Sequence, residues 1–96
     1  FKKIGEKLGP FDLAAVPIGA YKPNAMMKAS HMNPEEAVQA ALDLRADNAV
    51  AMHYGTFNLS DEPLAEPPAR FKAAAENTPL ADSHSWVLDI GETRKF

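Results

Sequence analysis

Ala49-Val50-Ala51-Met52-His53-Tyr54-Gly55-Thr56-Phe57 is the stretch on which the fold turns. A short apolar run, too brief for a helix, ends in a histidine followed by a glycine. That is the pattern of a buried strand delivering a polar side chain at its carboxyl end, where α/β proteins keep their chemistry. Immediately upstream, Ala46-Asp47-Asn48 makes a turn, and before it lies the clearest element of the chain. Asn33 can accept from the free amides of a first helical turn, Pro34 suits the first helical position, and Glu35 and Glu36 complement the positive helix end. The helix therefore starts here, with Ala37, Val38, Ala41 and Leu42 inward and Gln39, Asp43 and Arg45 outward.

Further back, Phe11 to Ile18 is a compact apolar segment centred on Leu13-Ala14-Ala15-Val16, expected as a strand buried on both faces. Gly19 to Ser30 has no period and reads as the loop at that strand's exit. Strand, helix and strand of these lengths predict parallel neighbours and a right-handed crossover. Phe1, Ile4 and Leu8 form one helical stripe, stopped by Gly9-Pro10. Downstream, Asn58 to Glu66 is polar and turn-rich, and Pro68 to Asn77 predicts a second helix packing through Phe71 and Ala74 or Ala75. Thr78 to Ser85 reads as a loop carrying a solvated His84. Trp86 to Ile90 is strand-like, with Thr93 to Phe96 returning as an antiparallel edge to close a terminal hairpin. The fold class is α/β, in one domain spanning 1–96.

The composition is that of a folded globule, 46% apolar and 24% charged with a net charge of −3 over 96 residues. A chain of this size buries only ~65% of its unfolded surface, so a spacious cleft is hard to enclose. No clustered Lys and Arg mark a nucleic-acid footprint. With no cysteine there is neither a disulfide framework nor a thiolate zinc site. No apolar run approaches a membrane span, and the expectation is a soluble piece, cytoplasmic or peripheral to a membrane. Because it opens on Phe1, the chain is expected to be cut from a longer product.

The residue types with the most chemistry are the three histidines, His31, His53 and His84. A catalytic zinc takes about three protein ligands, and no His-x-x-x-His or His-Glu-x-x-His pair is present. Spacing by itself leaves two readings open for His31 and His53: hydrogen-bonded structural residues, or a pair converging at the exits of adjacent βα units.

The words around them are more specific. Pro17-Ile18-Gly19-Ala20-Tyr21-x-Pro23, His31-Met32-Asn33-Pro34-Glu35-Glu36-Ala37, His53-Tyr54-Gly55-Thr56-Phe57 and Asp61-Glu62-Pro63-Leu64-x-Glu66-Pro67-Pro68 occur in that order. Together they resemble the carboxyl-terminal half of a metallo-β-lactamase-fold hydrolase family. The resemblance is in particular to phospholipases D that hydrolyse N-acyl-phosphatidylethanolamine and to their bacterial homologues, and more distantly to the ascorbate-phosphate lactonases. It covers nearly the whole chain.

The resemblance implies half of an αββα sandwich built from βαβ units. It also implies that His53 is a ligand in a two-zinc centre and that His31 lies in the active-site cleft, contacting substrate phosphate or the leaving group. Tyr21 becomes a candidate substrate contact, with packing as its alternative, and Gly55 and Thr56 shape the turn after the ligand. The family's His-x-His-x-Asp-His run, a further histidine and a bridging aspartate are not in these residues, and Tyr54 stands where relatives often carry tryptophan. The chain is then expected to be inactive alone. Its partner is the missing amino-terminal half or a second copy, and its substrate a phospholipid or phosphoester. The alternative is a non-catalytic α/β module that pairs through an exposed face.

Overall fold

The computed structural model describes residues 1–22, 31–55 and 61–96. Helix α1 (Lys2–Leu8) leads into strand β1 (Ala14–Pro17), helix α2 (Pro34–Asp43) and strand β2 (Ala49–Met52). Helix α3 (Glu66–Ala75), a 3-10 turn (Asp82–His84) and strand β3 (Ser85–Trp86) complete the order. The three strands form one sheet in the order β1-β2-β3. Both pairings are parallel, with Ala14 opposite Ala49 and Ala49 opposite Ser85.

Helix α2 begins where the sequence says it must. The Asn33 side chain accepts from the Glu36 amide at 2.8 Å, and the Glu36 carboxylate accepts from the Asn33 amide at 3.0 Å. This reciprocal capping box satisfies two amides that a helix start leaves free. The helix ends with Arg45 in the left-handed region (φ 59°), which turns the chain into β2. Ala37, Val38, Ala40 and Ala41 are buried, and Ala37, Val38 and Ala41 meet Ala14 and Val16 of β1, Ala49 and Ala51 of β2, and Phe71 and Ala75 of α3 in one core. Small residues dominate this surface, so the helices can lie close to the sheet.

Several sequence expectations are corrected. Strand β1 is Ala14–Pro17 rather than 11–18; Phe11 makes only an isolated parallel bridge to Ala46. Nor is it buried on both faces, since Ala14 and Val16 are covered while Ala15 is exposed. Strand β2 alternates likewise, and Met52 is 46% exposed. The helices cover one face of the sheet, and among the described residues the other face is only partly covered. Helix α3 occupies 66–75 rather than 68–77, since proline is tolerated in a first helical turn and Pro67 and Pro68 enter it there.

The terminal hairpin does not form. Trp86 is the last strand residue, and the chain turns through Asp89 and Glu92, whose carboxylate accepts from the Asp89 amide at 2.9 Å while Gly91 adopts φ 87°. Ile90 is fully exposed, and Arg94 returns over the Trp86 ring at 5.1 Å instead of pairing as a strand. Helix α1 also differs from its expected packing: Gly5 is its buried residue, and Phe1, Ile4 and Leu8 are exposed. A methyl at Gly5 would stand 2.1 Å from the Asp43 carbonyl oxygen, so glycine lets α1 rest directly on the end of α2.

Candidate functional site

The parallel register brings the exits of β1 and β2 side by side. Ile18 donates its amide to the Met52 carbonyl at 3.0 Å, which extends the ladder to the last residue before His53. His53 itself leaves the strand in the left-handed region, φ 63°, and Gly55 follows at φ 78°. A left-handed residue reverses the pleat, so the imidazole is exposed at the sheet edge rather than continuing the buried row. His31 precedes the α2 cap by two residues, and its ring stacks on that of His53 with centroids 5.5 Å apart and planes 28° from parallel. Residues 22 positions apart in sequence thus meet where strand exit and helix entry meet. Thr56 and Phe57, like residues 23–30, lie outside the described residues.

Gly19 explains how closely the two exits approach. A Cβ there would fall 2.2 Å from the His53 carbonyl oxygen, so the β1 exit lies on the His53 backbone with no room for a methyl group. The next residues are held by a group to which the sequence reading gave no role. The buried Glu62 carboxylate accepts from three successive amides, those of Ala20 and Tyr21 at 3.0 Å and of Lys22 at 2.8 Å. Ala20 is left-handed at φ 62°, which turns the amides into a concave nest. The exchange is mutual, since the Asp61 amide donates to the Lys22 carbonyl at 3.0 Å. The Asp61-Glu62-Pro63 word was visible in the sequence, but its long-range partners were not.

Tyr21 is placed by this loop in the interior, 4% exposed. The Arg70 guanidinium sits over its ring, 4.6 Å from the centroid. Arg70 in turn donates through Nε and Nη2, one edge of its guanidinium, to the two carboxylate oxygens of Glu35 of α2, while Nη1 lies 3.5 Å from Glu66, which also pairs with Lys22 at 3.2 Å. The Tyr21 hydroxyl is buried, with no partner at full hydrogen-bond geometry among the described residues. Burial pushes the phenol above its ordinary range, and Arg70 offsets part of that rise. The charge-assisted contact with Glu35 is the main reason that Arg70 holds its proton more tightly than usual. Tyr21 is thus packed in the interior in this chain. Removing a buried hydroxyl that has no such partner among the described residues relieves a desolvation cost, so Tyr21→Phe is expected to be neutral or to stabilise by up to ~1 kcal/mol in urea unfolding. A clear loss of stability would show that the hydroxyl has a partner.

Beside the histidines, Tyr54 is half-buried, and its phenol is raised first by burial and then by the Asp89 charge. His84 is elsewhere. It is exposed at the end of the 3-10 turn, with Nδ1 3.0 Å from the Asn48 side-chain oxygen, and is hydrogen-bonded rather than merely solvated. Among the described residues no three His, Cys, Asp or Glu side chains form a metal-holding group. His31 and His53 are imidazole donors of the type that suits zinc and its neighbours, but two donors are fewer than the three a catalytic metal takes from protein. The set fits a contribution to a metal centre and not a complete one.

A beta-lactamase superfamily domain matches residues 2–54, a stretch that includes Tyr21, His31 and His53. The chain belongs to the beta-lactamase superfamily. Over 94 residues it is 47% identical to N-acyl-phosphatidylethanolamine-hydrolyzing phospholipase D 1 of Caenorhabditis elegans, a match covering 96% of this chain and 26% of that relative. The mitochondrial N-acyl-phosphatidylethanolamine-hydrolyzing phospholipase D of Saccharomyces cerevisiae is 35% identical over 97 residues, covering 100% of this chain and 20% of its own. A metal-dependent hydrolase of Listeria monocytogenes is 41% identical over 91 residues, covering 95% of this chain and 32% of its own. The superfamily chain described here thus spans between 20% and 32% of the length of these relatives. Their names are those of hydrolases, one of them explicitly metal-dependent. No described helix is long and apolar enough to cross a membrane.

Proposed function

We propose that this chain is the carboxyl-terminal part of a metal-dependent hydrolase that cleaves phosphodiesters in the manner of a phospholipase D. The single observation that carries the reading is the stacked pair of His31 and His53 at the joined exits of β1 and β2, accessible to solvent and supported by a buried loop. His53 is the metal ligand and His31 the substrate contact. A metal held there, zinc in this proposal, would supply an activated water and stabilisation of developing oxyanion charge. His53 fixes one donor at a backbone position set by the strand ladder. His31, half-buried against the same ring, is suited to donate a hydrogen bond or a proton to a phosphate oxygen or leaving alkoxide. Tyr21 supports the loop from within.

The half-sandwich part of the proposal is favoured by the sheet, which carries helices on one face and leaves Ala15 and Met52 exposed on strands of the same ladder. In an αββα arrangement a second sheet covers such a face. The remaining metal ligands would come with that half, so this chain alone should turn over no substrate. The test is hydrolysis by the whole protein in water enriched with oxygen-18. The label is expected in the phosphomonoester product. Label in a carboxylate product would replace phosphodiester cleavage with acyl or lactone hydrolysis, and turnover by the 96-residue chain would refute the half-domain reading.

A further inference from the structure

We infer that Glu62 is a positioning residue for the His31–His53 pair, acting through residues 19–22. The inference rests on the reading of that pair as the site, but its test needs neither metal nor substrate. Three amides in succession point at one carboxylate, and all three would lose their acceptor together if it left. Ala20 and Tyr21 are buried, so water does not readily replace that acceptor. Among the described residues, the other contacts of Lys22 are its carbonyl with the Asp61 amide, next to Glu62, and its ammonium with Glu66 of α3. The residue just before the nest, Gly19, lies on the His53 carbonyl at a separation that excludes a methyl group. Movement of residues 20–22 is therefore passed to the His53 backbone, and His53 bears the ring on which His31 stacks. Glu62 does not touch the reacting groups in this scheme. It fixes the shape of the strand exit against which they are set.

Glu62→Gln is nearly isosteric, but it replaces one acceptor oxygen with an NH2 group that faces an amide donor. Glu62→Asp keeps the charge and shortens the reach by one methylene. Both are best examined in the whole protein with histidine-selective isotope labels, the signals being assigned by His31→Gln, His53→Gln and His84→Gln. In Glu62→Gln the imidazole resonances of His31 and His53 should move while that of His84, bonded to Asn48 on another edge, stays in place. Turnover should fall about ten- to a hundredfold, the scale expected of a small misplacement, with KM little changed. Glu62→Asp should show the same pattern to a smaller degree, and it serves as the test if the glutamine variant does not fold. Unmoved His31 and His53 resonances in a folded variant would overturn the inference, whatever happened to its stability. Moved resonances in a protein whose unaltered form has no hydrolase activity would retain the positioning role and discard the catalytic reading.

Discussion

Replacing His53 with alanine is expected to lower turnover of the whole enzyme by at least a hundredfold and to release metal from one position. The scale follows from metal sites in general, where even the groups that only orient a ligand cost ~10–100-fold when removed. The ring is exposed, and its loss leaves no cavity in the core formed by Val16, Val38 and Phe71. One complication is the left-handed backbone at position 53, φ 63°, which alanine tolerates poorly. His53→Asn removes the imidazole while keeping a residue that adopts this region readily. The two variants should therefore lose metal alike, measured by elemental analysis after dialysis, with the asparagine form the more stable. Metal content and rate unchanged in both would remove His53 from the centre.

Gly19→Ala is expected to destabilise the fold by about 1–3 kcal/mol, the range for forcing an added methyl into a packed site. The clash is with the backbone, at 2.2 Å from the His53 carbonyl oxygen, so no side chain can rotate away to relieve it. Either the β1 exit or the His53 turn must shift, and both belong to the site. Gly5→Ala provides the comparison, because its clash with the Asp43 carbonyl is equally severe but lies between α1 and α2. Urea unfolding should show a loss in both variants. Turnover measured under conditions where each is folded should fall only in Gly19→Ala. Equal turnover in the two would mean that the strand exit adapts without disturbing His53.

The local signals along this chain were strong where chemistry and geometry are set by neighbours in sequence. Asn33, Pro34 and Glu36 announce the start of α2, because a capping box is complete within four residues. The apolar run ending at His53 announces β2, and a strand-helix-strand order with such short strands permits little except parallel pairing. The same logic failed at the ends of the chain. The Phe1, Ile4 and Leu8 spacing made a helix but faced its apolar stripe outward, and the apolar residues near Trp86 did not become a hairpin. Periodicity reports that a face is apolar; it does not report what covers that face.

The site divides in the same way. The family words marked His31 and His53, and the fold brought their rings together. By itself the sequence determined the α/β class, the start of α2, the parallel pairing of β1 with β2 and the two histidines worth watching, since each depends on residues within a turn or one strand-helix-strand unit. Tertiary structure alone decided that Glu62 accepts from three amides some 40 residues away, that Gly19 rests on the His53 carbonyl, and that Arg70 covers Tyr21. Those contacts are set by the packing of separate elements, and a side chain's distant partner leaves no mark on its immediate neighbours.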